Sequence, residues 1–226
     1  MCLNAVMEKN IQTIGEEIAN TTIHGIGFLL GITGLVFTVH AGQPLPAVIF
    51  ASTMIFMFLA SSVYHALIPQ KIKELFRIID HQAIYIFIAG TYTPFCLIAL
   101  RGTFGWILFG FEWILALTGV ILSAVRFRLL KKVELAIFIL MGWAIVAGCL
   151  TLIRSIPPHS FILLFAGGIA YTLGIFWYRA GKEKSAGNSP ERYVVLRERL
   201  FGAHVVWHLF VLIGAICHWF SVWYLC

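Results

Sequence analysis

Seven stretches of this chain are apolar for long enough to cross a bilayer, and short polar segments separate them. A membrane helix needs roughly 20 largely apolar residues. Such runs occupy Ala19 to His40, Leu45 to Leu67, Ile78 to Leu100, Gly105 to Val125, Val133 to Ile153, Phe161 to Tyr178 and Phe201 to Leu225. The connections are brief except the sixth, Gly181 to Glu198, which gathers Lys, Glu, Ser, Gly, Asn and Pro. The pattern predicts an all-α membrane protein: one seven-transmembrane helix bundle over residues 1–226, with no soluble domain, internal repeat or low-complexity tract. Pro94 in GTYTPF predicts a kink or loosening of the third span. The first 18 residues hold Glu8, Lys9, Glu16 and Glu17 and lack the order of a cleaved signal peptide, so the first span is expected to stay in the membrane.

Composition supports the same class. The chain is 60% hydrophobic and 12% charged, with a mean hydropathy of +0.91, whereas a soluble domain carries about 25% charged residues. Fourteen of the 16 Lys and Arg fall in the N-terminal segment and the second, fourth and sixth loops. Because cytoplasmic loops are enriched in these residues, the N-terminus is expected inside and the C-terminus outside, in a multi-pass protein of the cell (inner) membrane. The net charge of +6 calls for no nucleic acid, since anionic headgroups attract the same loops. Cys2, Cys96, Cys149, Cys217 and Cys226 form no CxxC and no disulfide framework.

Ionisable side chains inside hydrocarbon are costly and mark candidate sites. His204 and His208 in HVVWH are four apart and share a helix face. His65 in SSVYH ends the second span and Asp80 opens the third. With these spans and this orientation, all four fall at cytoplasmic helix ends, within roughly two turns of one depth. Three imidazoles with one open position form the ligand set of a catalytic zinc, whose bound water has a pKa near 7. His65, His204 and His208 are therefore the candidate metal ligands and Zn2+ the candidate cofactor. HVVWH lacks the glutamate of HExxH, so the base must come from elsewhere, and Asp80 is the candidate. Ser61, one turn before His65, would face the same cavity and hold a substrate oxygen or a water, while Ser62 could serve helix packing instead.

The other polar residues are expected to do less. His24 suits an interhelical hydrogen bond, and His81 points about 100 degrees from Asp80 and reads as structural. His218 lies about 15 Å along the helix from His208, too far for the same ion. His40 and His159 belong at the outer surface. Glu112, some seven residues into the fourth span, faces the bundle interior or the outer interface. The tryptophans read as packing and belt residues.

EEIANTTIHGIG, SSVYHAL, DHQAIYIFIAGTYTPF and HVVWHLFVLIGAICHWF, in this order and spacing, resemble the hemolysin III family, the bacterial branch of the progestin and adiponectin receptor superfamily. The resemblance covers nearly the whole chain. It implies seven helices, an inside N-terminus and a zinc site near the cytoplasmic face built from Ser61, His65, Asp80, His204 and His208.

Three function classes follow. The first is a zinc-dependent hydrolase acting on an amide or ester bond of a lipid at the cytoplasmic leaflet, linked to membrane lipid homeostasis. The second is a receptor-like sensor with a structural zinc, and the third a hemolysin-like channel or cytolytic protein. In each, the partners are membrane lipids or a lipid ligand. A transporter would favour discontinuous helices with a midplane site, and a retinal protein would need a lysine that the seventh span lacks. The orientation is directly testable: a reporter fused after Cys226 should be active only if it functions outside the cytoplasm. Activity of a cytoplasm-only reporter there would invert the topology.

Overall fold

The computed structural model describes residues 12–130, 133–186 and 202–226. Cys2, Glu8, Lys9, Lys131, Lys132 and the later part of the sixth connection lie outside the described residues. Among the described residues, eight α-helices, α1 to α8, are arranged as seven membrane spans: α1 (Ile14–His40), α2 (Leu45–Ala66), α3 (Gln70–Pro94), α4 (Gly102–Leu130), α5 (Glu134–Trp143), α6 (Cys149–Ser155), α7 (Pro158–Ala186) and α8 (Ala203–Leu225). A π-helical turn, Phe95–Leu100, extends α3, and a 3-10 turn, Ala144–Gly148, joins α5 to α6 within the fifth span. No strand occurs among the described residues.

Local chemistry sets several of these boundaries. Thr13 starts α1 with a capping box: its hydroxyl accepts from Glu16 N, and its own backbone N–H donates to Glu16 Oε2 at 2.8 Å. Pro94 has no N–H to give, and the chain past it widens into the π turn. That turn closes at Arg101, whose N–H donates to the carbonyl of Cys96 at 3.1 Å and whose φ is 46°. The predicted loosening at Pro94 is this change of helix type. The break in the fifth span is held by Tyr92 of α3, which donates its hydroxyl to the Met141 carbonyl at 2.5 Å and accepts from Ile145 N–H at 2.8 Å. One side chain satisfies the backbone groups that the 3-10 turn frees.

Two expectations change. The third helix starts at Gln70, not near Ile78, so Asp80 does not open it but sits ten residues in. The polar stretch Gln70–Arg77 continues the helix because it leaves the bundle end, where Lys and Glu side chains reach water, without losing backbone hydrogen bonds. Likewise α7 runs on to Ala186, so the start of the sixth connection is helical.

The third span is the centre of the bundle. In its most apolar window 72% of residues are buried, against 28% in the first, fourth and fifth spans, which therefore turn most of their surface to lipid. Close approach around α3 depends on small residues. Gly90 faces the Thr53 side chain of α2 with no room for a Cβ, and Gly119 of α4 lies against the ring of Tyr85. On α1, Gly27 meets Phe58 and Gly31 meets Ile55, a stripe that seats α1 on α2. Ser62 adds a hydrogen bond to the Thr21 carbonyl at 3.2 Å, so it does serve that packing.

Candidate metal centre

Helix direction alternates through the bundle, so the C-terminal turn of α2, the first half of α3 and the first turn of α8 meet at one end. His65, in the last turn of α2, and His204 and His208, in the first two turns of α8, come together there. One nitrogen from each ring lies within 4.8 Å of the other two, and the group could hold a metal ion. His65 and His208 are buried, and His204 is half-buried. The ring centroids of His65 and His208 are 4.9 Å apart, and those of His204 and His208 are 4.5 Å apart. The four-residue spacing on α8 thus does what the sequence suggests.

The surrounding hydrogen bonds orient the rings. His65 Nδ1 lies 2.7 Å from Glu17 Oε2 on α1. A carboxylate can only accept, so Nδ1 carries hydrogen and the lone pair of the neutral ring sits on Nε2. Glu17 is itself held by Lys73 Nζ at 2.8 Å, and Lys73 also donates to the Leu67 carbonyl at 3.1 Å. On the other side, His208 Nδ1 meets His24 Nε2 of α1, so His24 makes the interhelical hydrogen bond expected of it, and makes it to a candidate ligand. A carboxylate or another base behind each ligating imidazole is the usual second layer of a metal site.

His65 Nε2 and His208 Nε2 face each other at 3.1 Å. Ligands at about 2.0–2.1 Å from a tetrahedral zinc stand about 3.3–3.4 Å apart, so this pair is already at ligand spacing. Either a ring hydrogen or a cation can lie between them. With a cation, His208 would carry its hydrogen on Nδ1 and donate it to His24. The donor set, three imidazoles and no thiolate, suits zinc, as it does copper, iron and nickel.

Asp80 and Ser61 share a cavity with His204 and His208. About 440 Å3 in volume, it takes in His24, His204 and His208 at its polar end and runs between α3, α5, α7 and α8 past Phe87, Tyr92 and Leu164. Ser61, 1% exposed, neighbours Asp80, and its hydroxyl makes no hydrogen bond of good geometry with it or with any other described group. A buried hydroxyl left in this way is available to a ligand.

Other polar residues fall into place differently. His81 lines the same cavity and pairs through Nδ1 with Glu134 Oε2 at 2.7 Å, a partner that the sequence reading missed. His218 donates from Nε2 to the Leu164 carbonyl at 3.0 Å, far along α8 from His208. His40 and His159 are exposed. Glu112 is fully buried, inside the bundle and ten residues into α4, with no hydrogen bond to either oxygen among the described residues. Trp106 and Trp177 are exposed, as belt residues are, whereas Trp113 and Trp143 donate to Thr93 and Thr172 inside the bundle. Cys96, Cys149, Cys217 and Cys226 are free thiols.

The order of spans and the position of the histidine group can now be set beside known proteins. A family profile described as Haemolysin-III related matches residues 12–219. The chain belongs to this family. It is 37% identical to "Hemolysin-3" of Bacillus cereus over 223 residues, 96% of this chain and 94% of that one. It is 35% identical to "Hemolysin-3 homolog" of Bacillus subtilis (strain 168) over 221 residues, 95% of this chain and 96% of that one. Human "Monocyte to macrophage differentiation factor" is 26% identical over 220 residues, 93% of this chain and 84% of that one. This is therefore a multi-pass membrane protein of the haemolysin-III-related family.

The missed residue Glu17 provides the test of the hydrogen-bonded layer. Glu17→Ala leaves His65 Nδ1 without its acceptor and should weaken metal binding about 10- to 100-fold, read by competition with a zinc chelator. Unchanged affinity would show that the Glu17–His65 contact does not orient the ring for an ion.

Proposed function

We propose that this haemolysin-III-related protein is a zinc-dependent membrane hydrolase that cleaves an amide or ester bond of a lipid. With the N-terminus inside, the site lies at the cytoplasmic leaflet of the inner membrane, and the activity serves membrane lipid homeostasis. The observation that carries the reading is the cluster of three imidazoles, two of which, His204 and His208, meet a carboxyl and an uncommitted hydroxyl at the polar end of a largely apolar cavity. A purely structural zinc site has every position filled by protein, whereas this one adjoins space for a ligand.

His65, His204 and His208 would hold the zinc, with His24 and Glu17 fixing the two buried rings. Bound there, zinc would polarise a carbonyl and make water a better nucleophile. Asp80 takes the proton of the attacking water and returns it to the leaving group. Ser61 donates its hydroxyl hydrogen to a substrate oxygen. The apolar wall formed by residues such as Met57, Phe87 and Ile88 excludes bulk water and accepts the hydrocarbon part of the lipid.

Purified protein should hydrolyse a bacterial lipid amide or ester, lose that activity with a chelator and regain it with zinc. Asp80→Asn keeps shape and one acceptor oxygen but cannot take a proton, so turnover should fall by about 10²- to 10⁴-fold while zinc per chain stays unchanged. Wild-type turnover in that variant would remove Asp80 from the chemistry, and loss of zinc would make it a ligand instead.

A further inference from the structure

The cavity has a second polar group that the hydrolytic reading leaves without work. Glu134 is the first residue of α5, a helix that contributes nothing to the histidine group, and it is 4% exposed although its side chain lines the cavity. One carboxylate oxygen, Oε2, receives the Nδ1 hydrogen of His81 at 2.7 Å. The other, Oε1, is buried with no hydrogen-bond partner among the described residues. A buried carboxylate oxygen without a donor costs several times more than an ordinary missed hydrogen bond, so this atom is expected to meet a donor when the cavity is filled. His81 already holds the group in place, so a ligand would not bear the cost of ordering it.

Among the described residues, the cavity lining also contains a single Lys or Arg. That residue is Arg179, near the end of the sixth span, and it is exposed as well as part of the lining, which puts it at the cavity mouth. It belongs to none of the ion pairs among the described residues. Glu134 opens the fifth span and Arg179 closes the sixth, so both lie at the end of the bundle that holds the histidines. One fixed acceptor inside and one cation at the rim match a headgroup that carries charges of both signs.

We infer that Glu134, fixed by His81, and Arg179 form a headgroup subsite for a zwitterionic phospholipid with a primary ammonium. The ammonium donates to Glu134 Oε1 and the phosphate pairs with Arg179. The inference rests on the reading of the cavity as a lipid site and narrows it to a headgroup class. A primary ammonium has N–H donors, and charge-assisted hydrogen bonds of this kind are about twice as strong as neutral ones. A quaternary ammonium has the same charge and no N–H, so it is the control.

The test compares ether-linked lysophosphoethanolamine with ether-linked lysophosphocholine of the same chain length. Neither has the ester that a hydrolase would cut, so binding to the full-length protein in nanodiscs can be measured apart from turnover. Wild type should bind the ethanolamine lipid at least about tenfold more tightly, as expected for hydrogen bonds to a charged group. Glu134→Gln should shrink that preference to about threefold or less, weakening the ethanolamine lipid more than the choline lipid, which loses the charge attraction alone. Arg179→Gln should weaken both lipids equally.

Equal binding of the two lipids by wild type overturns the inference without recourse to any variant, and so does a preference that survives Glu134→Gln in protein of unchanged thermal stability. Headgroup preference without zinc-dependent turnover would remove the hydrolase and leave the subsite. Turnover without the preference would do the reverse.

Discussion

The hydrogen bond between Glu17 and His65 is the constraint from which the site is built. An imidazole has two nitrogens and, when neutral, one hydrogen, so fixing the hydrogen on one side fixes the lone pair on the other. Glu17 takes the Nδ1 hydrogen of His65 at 2.7 Å, and Nε2 is thereby aimed at His208. Lys73 holds Glu17 from behind, so the orientation of a ring on α2 is set by α1 and α3 together. His24 does the corresponding work for His208. Two helices outside the histidine group, α1 and α3, thus determine where the nitrogens of its two buried rings point.

The same bundle leaves space next to these rings. Its central helix, α3, presents Asp80 and His81 at one end of the cavity and Tyr92 further along, and the span opposite is interrupted at Ala144–Gly148. Tyr92 bridges that interruption by bonding to Met141 and Ile145. Irregular backbone at membrane depth persists only where protein or a cavity satisfies it, and here a tyrosine hydroxyl does so. The interruption falls where the fifth span borders the cavity. It does not itself carry an ionisable group.

Much of this was legible in the sequence because hydrocarbon imposes strict rules. The seven apolar runs correspond to the seven spans, with helix ends displaced by a few residues where polar turns extend beyond the apolar core. His204 and His208 could be paired from their spacing alone, and His65 joined them by depth. Asp80 was placed in the right neighbourhood for a partly wrong reason: it lies within α3, not at its start, because Gln70–Arg77 is helical despite its polarity.

The partners were harder to read. Glu17 looked like one more charge ahead of the first span, although Glu17, Asn20 and His24 recur three and four apart on one face of α1, which was the available signal. Glu134 had no such signal, since its bond to His81 joins residues 53 apart in sequence. Hydropathy reports which residues leave water and says nothing of which buried polar atoms meet.

The central claim is that His65, His204 and His208 hold one zinc with a position left for substrate. X-ray absorption at the zinc edge on purified protein tests it most directly, together with metal analysis per chain. The account predicts about one zinc per chain, bound by three imidazole nitrogens at about 2.0–2.1 Å and one oxygen ligand, with no sulfur. Protein that neither retains zinc nor binds it when supplied would contradict the account, as would a fully protein-filled shell.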